Sequence, residues 1–343
     1  MNFRLIACSS LACALGLALG RPHDAAGKPS IWERAAEATT TTAEDLDFAH
    51  KYAAERWHAA NELEAEARSL GAVDPDIARL RRGAALRELQ AGRAVLDRFG
   101  AATSKDARVR YDLGLLLVRL DEWERAVPVL SGALATSPDS GRAPDAWFSL
   151  AICQAHLGRR DLEEQAYVDA LAIADDPDFR AITYANLAES RMGLGKLDEA
   201  VEAAESSLAL YPDSALTRWT LAVIRDRQGD AYGALTESKR AIALDPFYLQ
   251  LESPEVFFDP EWDLHWYRGL GELAHAEALQ GDDRKMRLLS AMYEFDLYTG
   301  QAPDTDPWKP RALDHIARIE KTLALSPKPP GSPLPRPKTP PKK

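Results

Sequence analysis

Apolar residues recur at helical spacing along most of the chain. From Leu187 to Tyr248 the pattern also repeats itself: LAESRMGLGKLDEAVEAAESSLALYPDS, starting at Leu187, is followed by LAVIRDRQGDAYGALTESKRAIALDPFY from Leu221. The second copy begins 34 residues after the first, so Leu187/Leu221, Gly195/Gly229, Ala200/Ala234 and Pro212/Pro246 fall in register. A period of this length predicts paired helices stacked into an array, each unit burying its apolar face against its neighbours.

Upstream, the stretch 21–43 mixes Pro22, Gly27, Pro29 and a threonine run, and reads as a linker. Thr41-x-x-Glu44 has the form of a capping box and predicts a helix to about Leu70, ended by Gly71 and Asp74-Pro75. A second helix is predicted from Pro75 to about Phe99, with Ile77, Leu80, Leu86, Leu89, Val95 and Phe99 as its apolar stripe. Together they make an N-terminal helical hairpin over 44–100, a candidate degenerate repeat.

From Ala107 onward the units resemble the tetratricopeptide repeat. Residues 107–140 carry Leu113-Gly114, Leu117, Ala126, Ala133-Leu134 and Pro138, while 144–177 carry Trp147, Leu150-Ala151, Leu157-Gly158, Tyr167 and Ala170-Leu171. In the second unit Glu163 replaces the first small residue and the closing proline slips to Pro177. The third and fourth units, 181–214 and 215–248, are the two copies quoted above. Small residues belong where helices cross closely, and proline ends the second helix of a unit. A displaced fifth unit is expected over 267–300 and a capping helix over 307–325. The fold class expected is therefore all-α, a right-handed α-solenoid closed by an N-terminal hairpin and a C-terminal helix.

The resemblance implies a concave groove lined by the first helix of each unit, where such arrays hold an extended peptide or a partner helix. Carried over by position, the groove residues are Tyr111, Leu115 and Arg119; Phe148, Ile152 and His156; Ala185, Glu189 and Gly193; and Trp219, Val223 and Arg227. This is an aromatic, apolar floor with cations along one edge, and Trp, Tyr and Arg are the residue types most often found as interface hot spots. An alternative stays open, in which a helix of the chain itself, such as the N-terminal hairpin, fills the groove. Arrays that clamp chaperone tails need Lys and Asn at the fifth and ninth positions, where this chain has aromatic and aliphatic residues.

The insertion 249–266 gathers Phe257, Phe258, Trp262 and Trp266 around Pro254 and Pro260. Two readings apply: a hydrophobic plug, or a stacking platform for a ligand such as a glycan, with Trp262, Trp266 and Phe257 as its residues.

Charge and chemistry narrow the function classes. The chain of 343 residues carries a formal net charge of −11; with Arg4 contributing +1 and five basic residues of the tail +5, the remainder carries −17. Such a body repels nucleic acid. Residues 1–20 combine an early cation, an apolar run and small residues near Gly20, as in a signal peptide cleaved before Arg21. An uncleaved anchor, or acylation at Cys8 or Cys13, would be the membrane link. Cleavage leaves Cys153 as the one cysteine, placed on an apolar helical face. The last 17 residues hold eight prolines and no acids, so 326–343 is expected to be an extended, basic tail. Walker, GxSxG, HExxH and CxxC motifs are absent from the sequence. His50 and His58 lie two helical turns apart and read as a surface pair. No catalytic residue, metal ligand or cofactor is expected. The function expected is a non-catalytic protein–protein interaction scaffold, exported to the periplasm or cell envelope; a glycan-binding protein or helical enzyme built on the insertion is the alternative.

Overall fold

The computed structural model describes residues 3–5, 41–71, 73–253 and 256–323. The expected signal segment, apart from 3–5, most of the linker and the whole proline-rich tail lie outside the described residues. The chain divides into two compact units, Cys8–Ile173 and Met1–Ala7 with Ala174–Lys343.

The first unit holds helices α1 (Ala43–Leu70), α2 (Pro75–Arg98), α3 (Ala107–Arg119), α4 (Trp123–Thr136), α5 (Ala143–His156) and α6 (Arg160–Ile173). The capping box of α1 sits one residue later than expected. Thr42 accepts from the Asp45 backbone N–H at 3.2 Å and the Asp45 carboxylate accepts from Thr42 N–H at 3.0 Å. The stripe expected on α2 is met only in part: Leu89 and Phe99 are buried, but Ile77, Leu80 and Leu86 are exposed, and Ala78, Ala85, Gly92 and Leu96 complete the buried face. Small residues decide this. Ala53, Ala60 and Ala67 on α1 and Ala78, Ala85 and Gly92 on α2 recur every seven residues, letting two backbones approach where larger side chains would hold them apart.

The second unit holds α7 (Pro177–Gly193), α8 (Leu197–Leu210), α9 (Ala215–Arg227), α10 (Ala231–Leu244), α11 (Asp263–Glu277), α12 (Gly281–Gln301) and α13 (Lys309–Thr322). The fifth hairpin starts at Asp263, 48 residues after the fourth unit, so the insertion is four residues shorter than the sequence suggested and Trp266 and Tyr267 belong to α11. Two short strands break the all-helical rule. β1 (Phe3–Leu5) pairs antiparallel with β2 (Val256–Phe258), in the register Phe3↔Phe258 and Leu5↔Val256.

The four repeat hairpins, α3–α4, α5–α6, α7–α8 and α9–α10, turn in the same way, unlike α1–α2, where Gly71 is right-handed at φ −55°. The first helix ends in a residue with left-handed φ: Asp121 at 58°, Gly158 at 67°, Gly195 at 75° and Gly229 at 92°. The next N–H then reaches back to the third-last helical carbonyl, as Glu122→Leu117, Arg159→Gln154, Lys196→Arg191 and Asp230→Arg225 at 2.8–2.9 Å. These are Schellman closures, and glycine favours the left-handed site because it has no Cβ to clash. Within a hairpin the close crossing is equally strict. A Cβ on Gly114 would come within 2.4 Å of Leu130 Cδ2, and Ala126, Ala151, Ala188, Ala200, Ala222 and Ala234 are all fully buried.

Candidate protein-interaction face

The first helix of each hairpin carries the residues expected to line an open groove, and most of them are buried. Tyr111 is 1% exposed, Phe148 4%, Ile152 3%, Trp219 and Val223 0%, and Arg227 6%. Leu115, Arg119 and His156 are half-buried. An aromatic floor open to a partner is therefore corrected to a floor built into the core.

In the first unit the occupants come from neighbouring elements. The Tyr111 hydroxyl donates to the Ser137 carbonyl at 2.7 Å, and Phe148 packs edge-on against Tyr167. His156 stacks flat on Trp123 with centroids 4.0 Å apart. Arg119, expected to meet an acidic partner, lies over Trp57 of α1, donates to Asn61 at 3.1 Å and pairs with Glu64. Asp112 accepts from Arg142 and is bonded to His50 Nδ1 at 2.6 Å. The two histidines of α1 therefore part company: His50 serves this cluster, while His58 is exposed beside Glu62. The intramolecular alternative is thus the one observed at Arg119, where the hairpin supplies the occupant.

In the second unit the C-terminal elements do the same for the fourth repeat. Trp219 stacks on Tyr248 at 5.5 Å, with Gly271 so close that an added Cβ would come within 2.5 Å of the Tyr248 hydroxyl. Arg227 donates to Asp263 at 3.0 Å and lies over the rings of Trp266 and Trp308. Trp266 is fully buried, packed edge-on against Phe295 and Tyr298. That burial rules it out as a ligand-stacking surface. Phe257 and Trp262 are half-buried, and the Trp262 indole N–H has no acceptor.

Two carboxylates that sequence reasoning did not single out as anchors organise this region. Asp226, at 0% exposure, accepts from the Trp266 indole N–H at 3.0 Å and from Arg311 at 2.8 Å, and is bonded to His315 Nε2 at 2.7 Å. Burial alone would raise its carboxyl, but the His315 and Arg311 hydrogen bonds and charges outweigh it and hold the group below the usual range. Glu189 of α7 is likewise fully buried and accepts from the Tyr267 hydroxyl at 2.9 Å. Here burial wins against the hydrogen bonds of Thr220 and Tyr267, and the carboxyl is pushed up to about 7. The Tyr267 phenol is also driven well up, first by burial and then by the Glu189 charge.

Little else in the described residues offers reactive chemistry. Burial pushes the Cys153 thiol up to about 12, which keeps it protonated, and carries the Asp145 carboxyl to about 6 against the opposing charge of Arg142. Among the described residues, no three histidines, cysteines or carboxylates are grouped to hold a metal ion, and no helix is long and apolar enough to cross a membrane.

A family match agrees with this architecture. A tetratricopeptide repeat family model matches residues 85–141, 111–178 and 186–248, the first match beginning inside α2. No curated protein matches the chain. Similar solved structures include MamA 41-end from Desulfovibrio magneticus RS-1, 19% identical, covering 55% of this chain and 95% of that one with a TM-score of 0.42. YrrB, titled a TPR protein with an unusual peptide-binding site, is 20% identical, with 55% and 87% covered and a TM-score of 0.41. A further MamA structure is 15% identical, with 48% and 92% covered and a TM-score of 0.43.

Proposed function

The chain is a tetratricopeptide repeat protein across residues 85–178 and 186–248, and from that premise we propose that it is a non-catalytic interaction scaffold of the cell envelope, holding a helix or extended segment of a partner protein along the first-helix face of its repeats. The observation that carries this reading is the capture of α13. The first helix of the fourth repeat already holds a helix of the same chain, through Arg311 and His315 on Asp226 and through Trp308 on Arg227. A face that binds a helix in cis has the chemistry to bind one in trans. Arg119 and Arg227 are committed to Glu64 and Asp263, so a partner would engage the half-buried positions instead. The envelope location rests on the apolar, small-residue character of 1–20.

Because Trp219 and Phe148 are core residues, removing them tests stability rather than binding. A photo-crosslinking side chain placed one position at a time at Leu115 and His156, half-buried groove positions on α3 and α5, is the sharper probe. The controls carry it at Leu162 and Tyr232, which are exposed on second helices. Adducts with one envelope protein are expected from the first pair alone. Equal adducts from the controls, or none from the first pair, would refute the reading. A mature N-terminus other than Arg21 in protein purified from the envelope would refute the cleaved-signal part.

A further inference from the structure

A cavity of about 210 Å³ lies within the second unit, where α10, α11, α12 and α13 meet. Leu235, Leu270, Leu273, Leu288 and Ile319 make the apolar part of its wall. By the share of volume each water takes in the liquid, about 30 Å³, it has room for roughly seven non-hydrogen atoms. None of the groove positions discussed above lines it, and the repeat fold alone does not require it.

The charges around the cavity are uneven. On one wall the Asp226 carboxylate is already matched by Arg311 and His315. Glu277, a second lining carboxylate, is paired with Lys239. Arg284 of α12 and Arg318 of α13 also line the cavity, both exposed, and among the described residues neither has a carboxylate at ion-pairing distance. This is unusual in a chain with 53 acidic against 42 basic residues, where an arginine meets an acid easily. Two unmatched guanidiniums beside an apolar recess present complementary halves to one kind of molecule. A guanidinium binds a carboxylate by charge-assisted hydrogen bonds, while the recess shelters a short hydrocarbon from water.

We infer that this junction is a binding site for a small amphipathic monocarboxylate, its hydrocarbon body among the leucines and its carboxylate held by Arg284 and Arg318. A chain of about six carbons fills this room. A ligand here would touch α10 of the last repeat together with α11, α12 and α13, and so would tie the repeat array to its C-terminal cap.

The test uses the full chain and three probes of equal length, hexanoate, hexanol and hexylammonium, titrated by calorimetry with NMR detection. Hexanoate is expected to bind saturably, with shifts confined to residues around the cavity, and hexanol and hexylammonium at least tenfold more weakly. Arg284→Ala with Arg318→Ala, two exposed positions, is expected to weaken hexanoate about tenfold or more, as loss of charged hydrogen bonds does, with an unchanged melting temperature. Ala231→Phe, which fills the recess from α10, is expected to abolish binding; should it not fold, the arginine variant still decides. Absence of saturable hexanoate binding, equal affinity for hexanol, or full affinity in the arginine variant would each overturn the assignment.

Discussion

The burial of Glu189 makes stability depend on pH in a direction opposite to that of most carboxylates. The ordinary value for this group is 4.5, and in the folded chain it is about 7. Between these two values the folded state keeps a proton that the unfolded state has released, so raising the pH favours unfolding. The contribution is complete below about pH 4.5, falls through the window, and is gone above about 7. Each pH step of one costs about 1.4 kcal/mol, so the whole window is worth roughly 3 kcal/mol. Glu189→Gln removes the titration while keeping a carbonyl oxygen that accepts from the Tyr267 hydroxyl. Urea unfolding of both proteins at pH 5, 6, 7 and 8, followed by tryptophan fluorescence, isolates the effect, since every other titrating group is common to the two. The difference should grow with pH in favour of the glutamine variant, by about 2 kcal/mol from pH 5 to 7. Parallel pH profiles would refute the account, and so would a difference that grows in favour of the wild type.

Three further outcomes follow from the packing. Asp226→Ala leaves Arg311 and His315 without their acceptor and is expected to cost about 3–5 kcal/mol, as breaking a buried pair does; hydrogen exchange should show α13 losing protection before α7 to α10, and uniform loss would contradict the anchor role. Gly195→Ala places a Cβ at φ 75° and should destabilise by about 1 kcal/mol, whereas Asp121→Gly, at the equivalent turn, should be neutral or stabilising by up to about 1 kcal/mol, both read from melting curves. Trp219→Ala, at 0% exposure, should cost about 3–5 kcal/mol; a variant with unchanged melting temperature would mean the ring is not core.

The repeats were legible because their signal is redundant: leucine, small residue, glycine and proline recur at one period, and each has its own steric reason. The end of α1 at Leu70 follows from the punctuation of Gly71 and Asp74-Pro75. The N-terminal hairpin is legible but its face only in part: Leu89 and Phe99 of the expected stripe are buried, while the close contact is made by alanines at seven-residue spacing, which carry little hydrophobic signal in a sequence. The groove failed for a different reason. Position along a repeat says which way a side chain points, not what lies over it, and the elements over Trp219 and Arg227 come from the insertion and the cap, outside the periodic region. Asp226 and Glu189 were equally hidden. A lone acid on a helix looks the same in sequence whether it is solvated or bonded to three donors 40–89 residues away.

That separation has a consequence for the timing of synthesis. Neighbouring repeats can close as soon as they are made, because their contacts are local. Asp226 cannot; its first donor lies 40 residues on and its last 89. At a typical synthesis rate of about 5–20 residues per second, the fourth repeat waits roughly 4–18 seconds between completing its acid and receiving the histidine that closes over it. During that interval a charged side chain and the fully buried surface of Trp219 stand at the growing end of the array, and the nascent chain, rather than the finished fold, is the form most in need of a companion.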